Sequence, residues 1–251
     1  MSRSVGVIAL VLLLLACLLA TAPARILALV LPAGEVSMQG FSGTLWRGKA
    51  SRCLVHTPAG YLHLGAVGWQ LDPLSLLLLA PRLGIESNWG SQALATTLVL
   101  RGGGDVDLYQ LEASIPADLV RQFVPVRLAG VFSLQANELK LRAGWPVAGA
   151  GRLVWQDGGW NSPTGPVPLG SYALDFEQSP AAALLGEVIT LAGTVTAGGS
   201  VRLQDRSYDI DITVGSEAGL DQRLQQALAL VARPVAQGYR IKLDGEFVPP
   251  R

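Results

Sequence analysis

The chain has 251 residues, 50% of them hydrophobic and only 15% charged, with 19 basic side chains against 19 acidic ones. That length fits one domain with an appendage, and the balanced charge gives no electrostatic reason to expect nucleic acid or an anionic surface as partner. The 29 glycines and 15 prolines spread along it predict frequent turns between short strands.

The first element is apolar. Val5 to Ala22 runs for 18 residues without a charge, about 27 Å of helix, which predicts a membrane anchor. Ala22-Pro23-Ala24 has the small-residue form of a signal cleavage site, and Leu14-Leu15-Ala16-Cys17 faintly has that of a lipoprotein box. An uncleaved anchor is the favoured reading, because apolar chain continues from Ile26 to Leu31 beyond Arg25. Arg3 points to an N-terminus left inside and the remainder exported. The chain is thus expected to divide into an anchor over residues 1–31 and a β-rich domain over 32–251. Its two cysteines, Cys17 and Cys53, cannot pair if the first lies in lipid.

Next comes "GFSGTLWRG", residues 40–48. Its spacing holds no nucleophile geometry, metal-ligand set or phosphate loop. Glycines around a Trp let a large ring lie across a missing side chain or let a strand twist sharply. Gly43, Leu45, Trp46 and Gly48 are therefore expected to be structural, with Trp46 mostly buried and its neighbouring glycines needed for backbone geometry. Trp69 and Trp155, each in a Gly-apolar setting, are expected to be further anchors on the pleated face of a curved sheet. Ligand binding by these rings is the competing reading.

His56 and His63 flank "TPAG", a hairpin loop that pairs His56 with Tyr61 and sets Leu54 against His63. Both histidines then share a face and Cys53 points to the other, which disfavours a zinc site. Asp72-Pro73 is an N-cap followed by proline at the first helical position, opening a helix in "LSLLLLA". "TTLVLRGGGDVDLYQLEAS" predicts a hairpin turning at Gly102–Gly104, whose glycines lack the Lys-Ser/Thr ending of a phosphate cradle. Asp105 and Asp107 share a face by their spacing, as do Asp209 and Asp211, and both pairs are expected on solvated strand faces. Pro116 to Phe123 predicts a second short helix.

Alternating segments then continue through "GVFSLQANELKLR", "GRLVWQDGGW", "GSYALDFEQS" and "LAGTVTAG". "SVRLQ" and "YDIDITV" form a hairpin over Val201–Val214 around Asp205-Arg206. About a dozen strands in all predict an antiparallel meander. The third helix is expected over Ser216–Arg233, capped by Ser216, with Leu220, Leu224, Leu228 and Val231 on one stripe and Pro234 as its stop. Ser216 belongs to no G-x-S-x-G motif, and Lys and Arg are scattered rather than clustered.

Taken together, "GFSGTLWRG", "GWQLDPLSLLL", "PADLV", "VRLAGVFSLQANEL", "GRLVW", "LGSYALDF" and "LAGTVTAGGSVRLQDRSYDIDITV" through to "GYRIKLDGEF" resemble, in order and spacing, the protein N family of the type II secretion system. The resemblance covers nearly the whole chain. It implies a single-pass inner-membrane protein with a periplasmic domain built on a curved antiparallel sheet similar to the AsmA-like proteins. It also implies a non-enzymatic role in assembling or stabilising the machine, with partners among its inner-membrane platform proteins or its outer-membrane secretin. No catalytic residue, cofactor or nucleic-acid partner is implied. The alternative is an AsmA-like module that binds or handles lipid. Cys17 in its Leu-Leu-Ala-Cys word and the lone Cys53 depart from the family pattern.

Overall fold

The computed structural model describes residues 2–30, 36–57, 60–122, 127–162, 165–179, 183–236 and 238–246. The expected boundary between residues 31 and 32, the Pro58-Ala59 tip of the histidine hairpin and Phe123 lie outside them. The chain divides into two compact units, residues 1–89 and 90–251.

The first unit begins with helix α1 (Ser2–Ala20), a 3-10 turn (Ala24–Ile26) and helix α2 (Leu27–Val30). Strands β1 (Val36–Gly43), β2 (Arg47–Thr57), β3 (Gly60–Leu71) and β4 (Arg82–Trp89) follow, with helix α3 (Pro73–Leu77) between the last two. The strands pair in sequence order, all antiparallel. His56 opposes Tyr61 and Leu54 opposes His63, the register that the sequence predicts. Cys53 is buried and both histidines are exposed. Ala24, Ala50 and Trp69 form the buried centre, with Leu27, Met38, Phe41 and Leu83 against it.

Helix α1 corrects the expected anchor. The apolar run leaves the helix at Ala20, because the Ala22 carbonyl accepts from Leu45 N (2.8 Å) and Pro23 bridges to Thr44. With Ser2, Arg3 and Ser4 in its first turn, the charge-free helix spans Val5–Ala20. That is about 24 Å of rise, short of a hydrocarbon core of about 30 Å. Among the described residues no helix is long and apolar enough to cross a membrane, which overturns the single-pass inner-membrane expectation.

The second unit is almost wholly sheet: β5 (Gln92–Gly102), β6 (Asp105–Pro116), β7 (Leu128–Arg142), β8 (Trp145–Ser162), β9 (Gly165–Gln178), β10 (Leu184–Ala192), β11 (Thr196–Gln204), β12 (Ser207–Gly215), β13 (Arg233–Val235) and β14 (Gly238–Glu246). Each pairs antiparallel with the next through β12, which pairs β14, and β13 lies outside β14. The hairpins expected around Gly102–Gly104 and Asp205-Arg206 are present. Strands β7, β8 and β9 run 15, 18 and 14 residues, longer than the expected short strands, because bulges absorb glycines that punctuate the sequence.

Period-two alternation sorts this sheet into two faces. Direct partners across eight strands give the row Glu112, Gln135, Arg152, Asp175, Glu187, Ser200, Asp211 and Lys242. One residue along, on the opposite face, runs the row Ala113, Leu134, Leu153, Leu174, Val188, Gly199, Ile212 and Ile241. A second apolar row beside it includes Leu111, Ala136, Phe176, Val201, Ile210 and Leu243. One face is polar and solvated; the other is apolar, mostly half-buried.

Helix α4 (Gln222–Leu228) closes one end of the apolar face. Leu224 and Leu228 pack with Val195, against Leu169, Val214, Tyr239 and Ile241. The helix is shorter than expected and its cap is Asp221, whose Oδ1 accepts from Arg223 N (2.8 Å), not Ser216. Gly219, at φ +86°, breaks the helical path upstream. Val231 lies beyond the helix and is exposed. The segment from Pro116 is likewise tighter than expected, a 3-10 turn over Ala117–Gln122.

Candidate functional site

In the first unit, "GFSGTLWRG" makes the turn from β1 to β2, and Gly43, Leu45, Trp46, Gly48 and Trp69 gather around it. Gly43 sits at φ +85°, where a Cβ would stand 2.5 Å from the Arg47 carbonyl oxygen. Thr44 N donates to that same oxygen at 2.9 Å and closes the turn. Trp46 lies in the turn rather than on a strand face, where its ring is partly buried. Its Nε1 donates to Leu19 O at 2.8 Å.

The buried ring is Trp69, 4% exposed, with Nε1 donating to Leu45 O at 3.0 Å and Phe41 edge-on at 6.2 Å. It lies across Gly48, whose added Cβ would collide with Trp69 Cζ2. Gly48 is thus required for space, and its φ is not positive. Leu71 N donates to Trp46 O at 2.7 Å. The turn therefore holds the end of α1 on one side and the start of the α3 segment on the other.

Pro73 opens α3 as the sequence predicts, with Asp72 Oδ1 accepting from Leu74 N at 3.0 Å. Ser75 is buried: its Oγ donates to Asp72 O (2.6 Å) and accepts from Arg82 N (2.8 Å). The polar groups of this segment point inward. Leu74, Leu77, Leu78 and Leu79 point out.

Trp155 belongs to the second unit. It is half-buried on the apolar face, stacked on Phe132 at 5.5 Å and near Tyr172 at 5.7 Å, with Nε1 donating to Ala129 O at 2.9 Å. Tyr172 is buried, its hydroxyl donates to Val195 O at 2.9 Å, and burial pushes its pKa up to about 12.

The ion pairs are what the sequence reading missed. Asp107 does not lie on a solvated face, as expected, but is 2% exposed between Arg101 Nε and Arg142 Nη1, each at 2.8 Å. Burial alone would raise its pKa, yet hydrogen bonds and charge from Arg142 and Arg101 outweigh this and lower it. Asp105 shares Arg142 at 3.4 Å. Arg152 grips both oxygens of its direct partner Asp175, and Arg240 grips both oxygens of Asp211. Hydrogen bonds from these arginines hold both carboxyls below the usual range. Alternation shows which acids share a face, but only inter-strand register shows which arginine meets them. Among the described residues no group of three or more His, Cys, Asp or Glu could hold a metal ion.

The geometry defines an antiparallel β-sheet protein in which Asp107, Asp175 and Asp211 are paired with arginines and the indoles of Trp46, Trp69 and Trp155 donate to backbone carbonyls. Residues 34–242 match the family described as type II secretion system (T2SS), protein N. The chain belongs to that family and is thereby a component of the type II secretion system. It is 29% identical over 231 residues to the type II secretion system protein N of Aeromonas hydrophila, covering 87% of this chain and 88% of that one. It is 25% identical over 244 residues to the protein N of Vibrio cholerae serotype O1, covering 90% and 91%. No solved structure matches the chain.

Proposed function

We propose that this chain serves the secretion machine as a non-enzymatic subunit that assembles or stabilises it, presenting its sheet to the machine's platform proteins or its secretin. The supporting observation is the state of its acids. A general acid or base works best with a pKa near the working pH, whereas Asp107, Asp175 and Asp211 are each gripped by arginine and shifted the other way. They hold strands together instead of waiting for a substrate. The solvated row from Glu112 to Lys242 offers a broad surface of mixed sign, suited to docking by complementary charge.

A second reading rests on the apolar rows. Leu134, Leu153, Leu174, Val188, Ile212 and Ile241 make a strip across seven strands, with α4 at one end. Such a strip suits acyl chains, as in AsmA-like lipid handling. One experiment separates the two. The tagged full chain is crosslinked in secreting cells and purified, and both proteins and phospholipids are identified by mass spectrometry. Other secretion components should be recovered, and deletion of the chain should reduce their assembly and secretion. Stoichiometric phospholipid, with assembly unchanged by the deletion, would transfer the assignment to lipid handling.

A further inference from the structure

The sheet of the second unit ends on a strand that is only partly covered. Strand β13 pairs with Gly238, Tyr239 and Arg240 of β14 and reaches no further, whereas β12 pairs with β14 from Tyr239 to Glu246. Pro234 has no N–H and stands opposite Tyr239, so the hydrogen-bonded pairs of the β13–β14 ladder fall at Gly238 and Arg240. Backbone groups alternate in direction along a strand, which turns the N–H and C=O of Lys242 and Asp244 to that same outer side. Among the described residues nothing pairs with them there. Such a row is a template for another strand.

The side chains along this edge are charged in an order that complements itself. Lys242, Leu243 and Asp244 are all exposed, Leu243 by 48%. On the covered side Asp244 stands directly opposite Asp209, a repelling like-charge pair. Among the described residues neither acid is in an ion pair. Lys242 stands opposite Asp211, but Arg240 already grips both oxygens of that carboxylate. The edge thus presents one cation and one anion that the chain itself does not pair, on either side of an exposed leucine.

From this arrangement we infer that two copies of the chain join edge to edge through β14, antiparallel, about a two-fold axis at Leu243. Lys242 of each copy then stands opposite Asp244 of the other, and the lysine relieves the repulsion between Asp244 and Asp209. Both positions carry outward backbone groups, so each charged contact comes with ladder hydrogen bonds. Leu243 meets its own copy at the closer, non-hydrogen-bonded position on the apolar face. Sliding one copy by a ladder step opposes Lys242 to Lys242 or Asp244 to Asp244, so charge selects the register. Strand β13 occupies the place beside Arg240 and confines the shared ladder to residues 241–245. This contact uses the edge of the sheet and does not depend on which face meets secretion proteins or lipid.

The test uses the full chain in mild detergent, carrying Cys17→Ser so that the buried Cys53 is the sole native thiol. Opposed Cα atoms at a non-hydrogen-bonded position are about 4.5 Å apart, within reach of a disulfide. Leu243→Cys should therefore crosslink to its own copy under mild oxidation and run as a dimer on non-reducing gels. Val235→Cys is the comparison. Val235 is 41% exposed on the same edge but lies beside Gly238, which sets its two copies about 34 Å apart along the strands. It should stay monomeric. Added to Leu243→Cys, either Lys242→Asp or Asp244→Lys should abolish the crosslink, and the two together should restore it. The proposal is overturned by no crosslink at residue 243, by equal crosslinking at residues 235 and 243, or by a crosslink indifferent to the single charge changes. A loss that the double exchange does not repair overturns it as well.

Discussion

At the scale of single residues, both tryptophans of the first unit are expected as structural anchors, and the structure separates them: Trp69 is 4% exposed in the core while Trp46 sits in the turn. Trp46 is the ring that glycines flank most closely. Those glycines instead serve the turn and the neighbouring strand, where Gly48 makes room for Trp69. Local sequence showed that a ring must lie over a glycine here; which ring does so depends on the β2–β3 register. Trp69→Ala should therefore cost about 3–5 kcal/mol, as for a buried aromatic ring. Trp46→Ala should cost only about 1–2 kcal/mol, for one hydrogen bond and a half-buried ring. Gly48→Ala should cost about 1–3 kcal/mol by overpacking against Trp69. Thermal unfolding of the three variants checks the order, and a Trp46→Ala loss equal to that of Trp69→Ala would refute it.

Among the elements, α3 and α4 show what local signals can and cannot set. Asp72-Pro73 fixes the start of α3 because a cap and a proline act within one turn, so the sequence alone sufficed. The stripe of leucines in α4 was equally legible, yet its start was not, since Asp221 competes with Ser216 for the cap and Gly219 interrupts the path between them. Only the packing of Leu224 and Leu228 on the sheet selects the shorter helix. Leu224→Ala should destabilise the second unit by about 2–4 kcal/mol. Leu230→Ala, at 86% exposure, should stay within about 0.5 kcal/mol. Denaturant unfolding distinguishes them, and equal midpoints would mean that α4 is not seated on the apolar face.

Across the whole molecule, the ion pairs and Tyr172 set the pH range of stability. Asp107, Asp175 and Asp211 have folded pKa values below their unfolded ones. Their stabilisation is complete above the unfolded carboxylate range, near about 4, and is lost as pH falls through the lower folded values. Tyr172 has the opposite sign. Its pKa is raised to about 12 from an unfolded value of about 10, so its contribution is present below about pH 10 and is lost as pH rises from there towards 12. The thermal midpoint should be flat near neutrality, fall in acid below about pH 4 and fall again in strong alkali. Tyr172→Phe should lower the plateau by about 1 kcal/mol, for the hydrogen bond to Val195, and flatten the alkaline fall. An alkaline fall of undiminished size in that variant would remove Tyr172 from this account.

Alternation along each strand determined one polar and one apolar face, because side-chain direction has a period of two within a single strand, and the turn residues between closely spaced strands determined that the sheet is antiparallel. The order and spacing of the Gly-Trp words likewise carried the family resemblance without any coordinates. Tertiary structure alone decided that Asp107 is buried between two arginines from neighbouring strands, since inter-strand register is set by bulges and turns far from the residues it brings together. It also decided that the apolar N-terminal run leaves its helix at Ala20. There the carbonyls of Leu19 and Ala22 are drawn to the Leu45-Trp46 turn, a competition between distant backbone groups that hydropathy along the chain does not register.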